Sequence, residues 1–199
     1  NCQYSIGKSE VATDGFTKYE RTEEIGKPVD YKEWFNGLYH IFKDFGIDPL
    51  AVWFKRSRDL GFFTWMSVRA NDCHFPEKRA SYMRSDMIYE AMEKGMTIGE
   101  KFDYFKNCMD FSYDKVREYL LSYIDEQLGR YDCDGIELDF MREIRCFDLA
   151  KTENPHLIMN DFMRKAREII AKHEKNYGHK IKVAIRLNRD ITESKAFGF

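Results

Sequence analysis

Asp134-Gly135-Ile136-Glu137-Leu138-Asp139-Phe140-Met141-Arg142 alternates apolar side chains with two acids and ends on an arginine. In a strand, successive side chains point to opposite faces, so Ile136, Leu138 and Phe140 share one side and Glu137 and Asp139 the other. Two carboxylates on one face of a strand whose other face is apolar mark a surface kept for ion pairing or for chemistry.

Two further segments carry the same parity. In Phe63-Thr64-Trp65-Met66-Ser67-Val68-Arg69-Ala70-Asn71-Asp72, Ser67, Arg69 and Asn71 fall on one face, and Met66 and Val68 on the other. In Lys180-Ile181-Lys182-Val183-Ala184-Ile185-Arg186-Leu187-Asn188-Arg189, Val183, Ile185 and Leu187 oppose Lys182, Ala184, Arg186 and Asn188. Each segment is apolar on one side and turns polar on the other towards its C-terminal end. A parallel barrel with helices outside and a reaction site at its C-terminal mouth reads this way.

Helices with clear ends lie between these strands. Asp30 with Glu33 forms a capping box before residues 31–45, and Gly46 is the stop; Asp48-Pro49 opens a second helix that Gly61 closes. Ser112 is suited to cap residues 113 to about 130, in which Val116, Tyr119, Leu120, Tyr123, Ile124 and Leu128 form one apolar stripe. Asn154-Pro155 opens the last helix, which turns Ile158, Phe162, Ala166, Ile169 and Ile170 inward before Gly178 ends it. The long stretch 75–110 is expected to hold a short helix or two. Helix and strand thus alternate, which argues for crossover units and a parallel α/β sheet. A complete (β/α)8 barrel needs roughly 250 residues, and the chain has 199, with three strands and a fourth if Asn1-Cys2-Gln3-Tyr4 ends another. The expectation is a single domain over residues 1–199 forming the N-terminal part of a (β/α)8 TIM barrel, with some of its site beyond Phe199.

A net charge of -2, with 33% charged residues of both signs, gives no basic face for nucleic acid, and no apolar run approaches the ~20 residues of a membrane span. No targeting segment is visible. Cys2, Cys73, Cys108, Cys133 and Cys146 are scattered without paired spacing, which leans towards reduced thiols in a reducing compartment and away from a disulfide scaffold or a zinc cluster. Asp132, Asp134, Glu137 and Asp139 are acid-dense, but strand alternation splits them between faces and no oxygen-ligand loop spacing appears. No metal and no cofactor is expected, and the residues do not decide an oligomeric state.

Trp65-Met66-Ser67-Val68-Arg69-Ala70-Asn71-Asp72-Cys73-His74, the Tyr131-to-Arg142 segment with its Asp-Gly-Ile-Glu-Leu-Asp-Phe-Met-Arg strand, and Val183-Ala184-Ile185-Arg186 together resemble bacterial glycoside-hydrolase-like TIM barrels, described as family-10-like glycosyl hydrolase domains. The resemblance covers roughly residues 30 to 199. It implies a (β/α)8 barrel acting on carbohydrate, without naming the sugar. The chain departs from a neighbouring pattern, the Asp-Gly-x-Asp-x-Asp-x-Glu of family-18 chitinases. Aligned on Asp134-Gly135, Glu137 and Asp139 take the two middle acids, but Met141 stands where the proton-donating Glu belongs, and a thioether cannot protonate a leaving group.

Glycosidic cleavage needs one carboxylic acid to protonate the leaving oxygen and one carboxylate to attack or to activate water. Asp139, nearer the strand's C-terminal end, is the first candidate, with its counterpart on another strand. Glu137, one layer deeper, is either a reacting group or the partner of Arg69 or Arg186, which share its parity. Those two arginines either balance the acids or bind an anionic group on the substrate. Asn71 and Asn188 are suited to hydrogen-bond sugar hydroxyls. Asp72 is a substrate contact or a turn cap, His74 a substrate contact or an ordinary loop histidine, and Arg142 a substrate clamp or the partner of Glu143. Two readings from different classes follow: a glycoside hydrolase cleaving poly- or oligosaccharide, and a non-catalytic carbohydrate-binding barrel that kept the polar mouth. A sugar-processing lyase or isomerase on the same fold is a third.

Overall fold

A computed structural model describes residues 4–5, 8–14, 41–42, 44–71, 85–141, 145–189, 195 and 198–199. Two short strands, β1 (Tyr4–Ser5) and β2 (Thr13–Asp14), pair with each other in parallel as a separate two-stranded sheet. The three alternating segments form strands in the expected places: β3 (Trp65–Arg69), β4 (Gly135–Asp139) and β5 (Lys182–Arg186). They make one parallel sheet in the order β3-β4-β5. Tyr4, the described residue of the segment expected to end a fourth strand, therefore pairs with β2 and not with the main sheet, while residues 1–3 lie outside the described residues.

The expected N-terminal part of a (β/α)8 barrel is not what the described residues form. They build a small α/β domain around a three-stranded parallel sheet, with no closed ring of strands. The reason lies in the signal itself. Alternating parity in strands separated by helices is common to open α/β sheets and to barrels, and closure is not encoded in the parity of three strands.

Helix α1 (Pro49–Asp59) starts as expected: Asp48 accepts hydrogen bonds from the backbone of Leu50 and Ala51, and Pro49 occupies the first turn, where its missing N–H costs nothing. Gly61, at φ 78°, takes the left-handed conformation that follows the helix, as does Gly46 at φ 65° after helical residues 44–45. The capping box at Asp30 and Glu33 lies outside the described residues. Between β3 and β4 come helix α2 (Asp86–Glu93), a 3-10 helix (Glu100–Phe105) and helix α3 (Asp114–Arg130), so the long connection does carry short helices. Ser112 does not cap α3. Tyr113 holds the N-cap position without a side-chain bond, and the Ser112 backbone N–H donates instead to Asp110 at 2.8 Å. Helix α4 (Pro155–Tyr177) connects β4 to β5, opening on Pro155 and closing on left-handed Gly178.

The core lies on one face of β3 and β4, while Val183 and Ile185 on the apolar side of β5 are exposed. Met66 and Val68 of β3 with Ile136 and Leu138 of β4 are buried against Val116, Leu120 and Ile124 of α3 and Phe162, Ala166 and Ile170 of α4. Apolar burial at this density is the main stabilising contribution to a domain of this size. Cys133 and Cys146 are buried thiols within it, and Cys108 is buried in a separate small cluster with Ile98; burial pushes the Cys133 thiol up to about 11. The N-terminal residues are tied on by Glu126 of α3, whose carboxylate accepts from Ser9 Oγ and from the backbone of Glu10 and Val11, while Arg130 donates to it. Burial alone would raise the Glu126 carboxyl, but these bonds take it below the ordinary glutamate range. The opposite face of the sheet, bearing Trp65, Ser67, Lys182 and Arg186, is exposed. Among the described residues, no helix is long and apolar enough to cross a membrane.

Candidate functional site

Strand register brings the polar residues together. Ser67, Glu137 and Ala184 stand side by side across the three strands, and one layer nearer the C-terminal ends Arg69, Asp139 and Arg186 do the same. Each row lies on the face turned away from the core, because every one of these positions has the parity opposite to the buried Val68, Leu138 and Met66, although Asp139 itself is buried. Parity and parallel pairing agree with the alternation of the sequence.

Glu137 is bonded on both oxygens: Ser67 Oγ donates to Oε1 at 2.8 Å, and Arg186 Nη2 donates to Oε2 at 2.9 Å. Of the two arginines considered as its partner, Arg186 forms this pair. The same guanidinium places Nη1 3.7 Å from Asp139 Oδ2, so Arg186 bridges two carboxylates that project from one strand. Asp139 Oδ1 accepts the Met141 backbone N–H at 2.9 Å, closing a turn directly after β4. The side chains are 53% exposed for Arg186, 20% for Glu137 and 9% for Asp139, so the cation is the solvent-facing member and the acids lie beneath it. Such a partly exposed network contributes modestly to stability while fixing the orientation of its members.

Arg69 is half-buried and opposite Asp139 in the register, and Asn188 is half-buried just beyond β5. Asn71 departs from the expected sugar contact. It is 1% exposed, its Nδ2 donates to the carbonyls of Met109 at 2.8 Å and Arg145 at 3.1 Å, and its Oδ1 accepts the Met109 N–H at 3.0 Å. The carboxamide thus ties the loop after β3 to the loop after β4, and its amide is fully engaged by backbone. Asp72, His74 and Arg142 lie outside the described residues.

The other end of the sheet carries a separate ion cluster. Arg58 and His179 both bond the Asp132 carboxylate, His179 Nε2 at 2.7 Å from Oδ1. Beside it, Asp134 accepts from both the backbone N–H and the hydroxyl of Thr64, at 2.7 and 2.9 Å, so it staples β3 to β4 and stands apart from Glu137 and Asp139, as alternation requires. Among the described residues no group of three or more His, Cys, Asp or Glu side chains is arranged to hold a metal ion.

Ser67 is the member of the cluster that sequence reasoning misses. Its parity with Arg69 is readable, but its partner becomes visible only with the register that sets it opposite Glu137. Fold and site together define a small α/β domain with an acid–arginine cluster at the strand ends. No family model matches the chain, and no curated protein matches it.

Proposed function

We propose that this chain is part of a glycoside hydrolase related to the family-10-like glycosyl hydrolase domains its motifs resemble, acting on a poly- or oligosaccharide with Asp139 as one catalytic carboxylate. The observation that carries the reading is the clustering of Asp139 and Arg186 at the C-terminal ends of parallel strands, with Glu137 one layer deeper bonded to the same arginine, at the end of an open α/β sheet at which ligands bind. Asp139 is held by a backbone N–H on one oxygen and faces a guanidinium with the other, a setting that suits the attacking or base member of the pair. Glu137, bonded to Ser67 and Arg186, acts as the positioning residue that aims Arg186 at Asp139. The proton donor is then a separate group.

A second reading is favoured by one specific observation. Arg186 engages both acids, and Met141 occupies the position of a donor acid in the chitinase pattern, so a carbohydrate-binding domain without hydrolysis fits the same residues. An assay on a panel of aryl glycosides and polysaccharide digests, with Asp139→Asn alongside, separates the two. Turnover lowered by at least ~100-fold in the variant supports the hydrolase. Sugar binding by both proteins with turnover by neither supports the binding domain.

A further inference from the structure

The turns that lead into α3 and α4 face each other across a cleft of about 550 Å³, within the usual size range of small-molecule sites. One wall is the turn at 110–113, contributing Asp110, Ser112 and Tyr113; the other is the turn at 151–154, contributing Lys151, Thr152 and Asn154. Leu157 and Ile158 of α4 add an apolar patch. The first wall is held from behind by the Phe111 N–H, which donates to the Cys146 carbonyl in the loop after β4 at 2.8 Å, and by the Asp110 N–H, which donates to the Met96 carbonyl at 2.9 Å. The second wall is held by Asp148, which is 1% exposed, accepts from the backbone of Ala150 and pairs with Lys101 at 2.6 Å. The cleft is therefore preorganised rather than a gap between independent loops.

We infer that this cleft is a binding site for a neutral saccharide unit, built from residues distinct from the strand-end cluster. Residues with three hydroxyls, a carboxamide, two carboxyls and an ammonium line it, a mixture of donors and acceptors that matches a ring bearing several hydroxyls. Lys151 stands with Asp110 and Glu153 on the walls, so a strongly anionic ligand has no net attraction there. Tyr113 is 42% exposed on the cleft wall and offers a flat apolar surface to the C–H face of a pyranose together with a phenolic hydroxyl. Asp110 is 4% exposed, and burial raises its carboxyl above the ordinary aspartate range, helped by the nearby Asp148 charge and opposed by the bonds from Ser112. Existence of the cleft is independent of the hydrolase reading, whereas assignment of its ligand as a sugar rests on that reading.

The test is ligand-detected NMR titration of the chain with glucose, xylose and N-acetylglucosamine and their β-linked disaccharides, repeated on Tyr113→Ala, Thr152→Ala and Asp139→Asn, with circular dichroism to establish that each variant is folded. Binding of at least one saccharide, weakened about tenfold by Tyr113→Ala and by Thr152→Ala, is the expected result. Binding lost in Asp139→Asn and retained in both cleft variants would overturn the cleft and leave the carbohydrate reading standing. Loss in all three would merge the two sites and overturn a separate one. Absence of binding by the folded wild-type chain would also overturn the cleft, and turnover in the glycoside assay then decides the hydrolase reading on its own.

Discussion

Arg186 donates to Glu137 at 2.9 Å and holds its other amino group 3.7 Å from Asp139, so one exposed cation governs two acids that share a strand face. Removing it takes from Glu137 one of its two bonded partners and from Asp139 the guanidinium beside Oδ2, and two carboxylates two residues apart lose the counter-charge they share. Because the guanidinium is half in solvent, Arg186→Ala should cost about 1 kcal/mol and not the several of a fully buried pair. Urea midpoints for Arg186→Ala, Glu137→Gln and the double variant measure the coupling between them. A coupling that stays at zero in low salt would mean that the pair is not formed in solution; a real one shrinks as salt is added.

Asn71 should matter to stability and not to ligand. Its carboxamide makes three hydrogen bonds to Met109 and Arg145 from a position 1% exposed. Truncation to alanine leaves a backbone N–H and two carbonyls without that partner, at a cost of about 2 kcal/mol. The expected signature is a lowered urea midpoint with accelerated hydrogen exchange at the Met109 amide. Unchanged stability with weakened sugar binding would restore the role in substrate contact that a strand-end asparagine suggests.

The contrast between Asn71 and Arg186 shows what is legible in this chain. Strand parity is local, so alternation alone places Ser67, Arg69, Glu137, Asp139 and Arg186 on one face, and an arginine partner for Glu137 follows from that placement. Asn71 has the same parity and the same residue chemistry as a sugar ligand. Its partners come from loops far away in the chain, which no pattern around residue 71 reveals. Closure of the sheet is invisible for a related reason: the residues of β3 and β4 specify a pleat with one buried face, and β5 shows the same alternation with Val183 and Ile185 exposed, whereas the number of strands beside them is a property of the whole sheet. Ser112 resembles a cap without being one, because a serine before a helix caps only if its own φ and ψ place it at the N-cap, and here Tyr113 takes that position.

The ion cluster at the opposite end of the sheet predicts a pH dependence. Hydrogen bonding to Asp132 raises His179 above the ordinary histidine value, with a further contribution from the Lys180 carbonyl. A raised folded value means that the stabilisation is fully present below the unfolded value of about 6.5 and is lost as pH rises through the folded one. Asp132 shifts the other way: burial would raise it, but Arg58 and His179 together lower it, so its contribution is present above the ordinary aspartate value and lost as pH falls through the folded one. Urea midpoints of the wild-type chain and of His179→Gln should therefore differ most near pH 6 and converge towards pH 9. A difference that stays constant across that range would remove His179 titration from the account.

Gly135 in the Asp-Gly step of the decisive strand is explained by Trp65, its neighbour in the register. A Cβ at residue 135 would fall 2.6 Å from the Trp65 indole, closer than any real contact, so the ring rests on the bare backbone of β4. Trp65 is 44% exposed, so it has room to swing outward, and Gly135→Ala should displace the indole rather than break the strand. The lost contact costs about 1 kcal/mol, at the low end of overpacking effects because the clashing group is a side chain with free space beside it. Tryptophan emission should shift to the red in Gly135→Ala, and the shift should disappear when Trp65→Phe is the background. An unshifted spectrum with unchanged stability would show that the indole does not lie on Gly135, and the glycine would then need another reason.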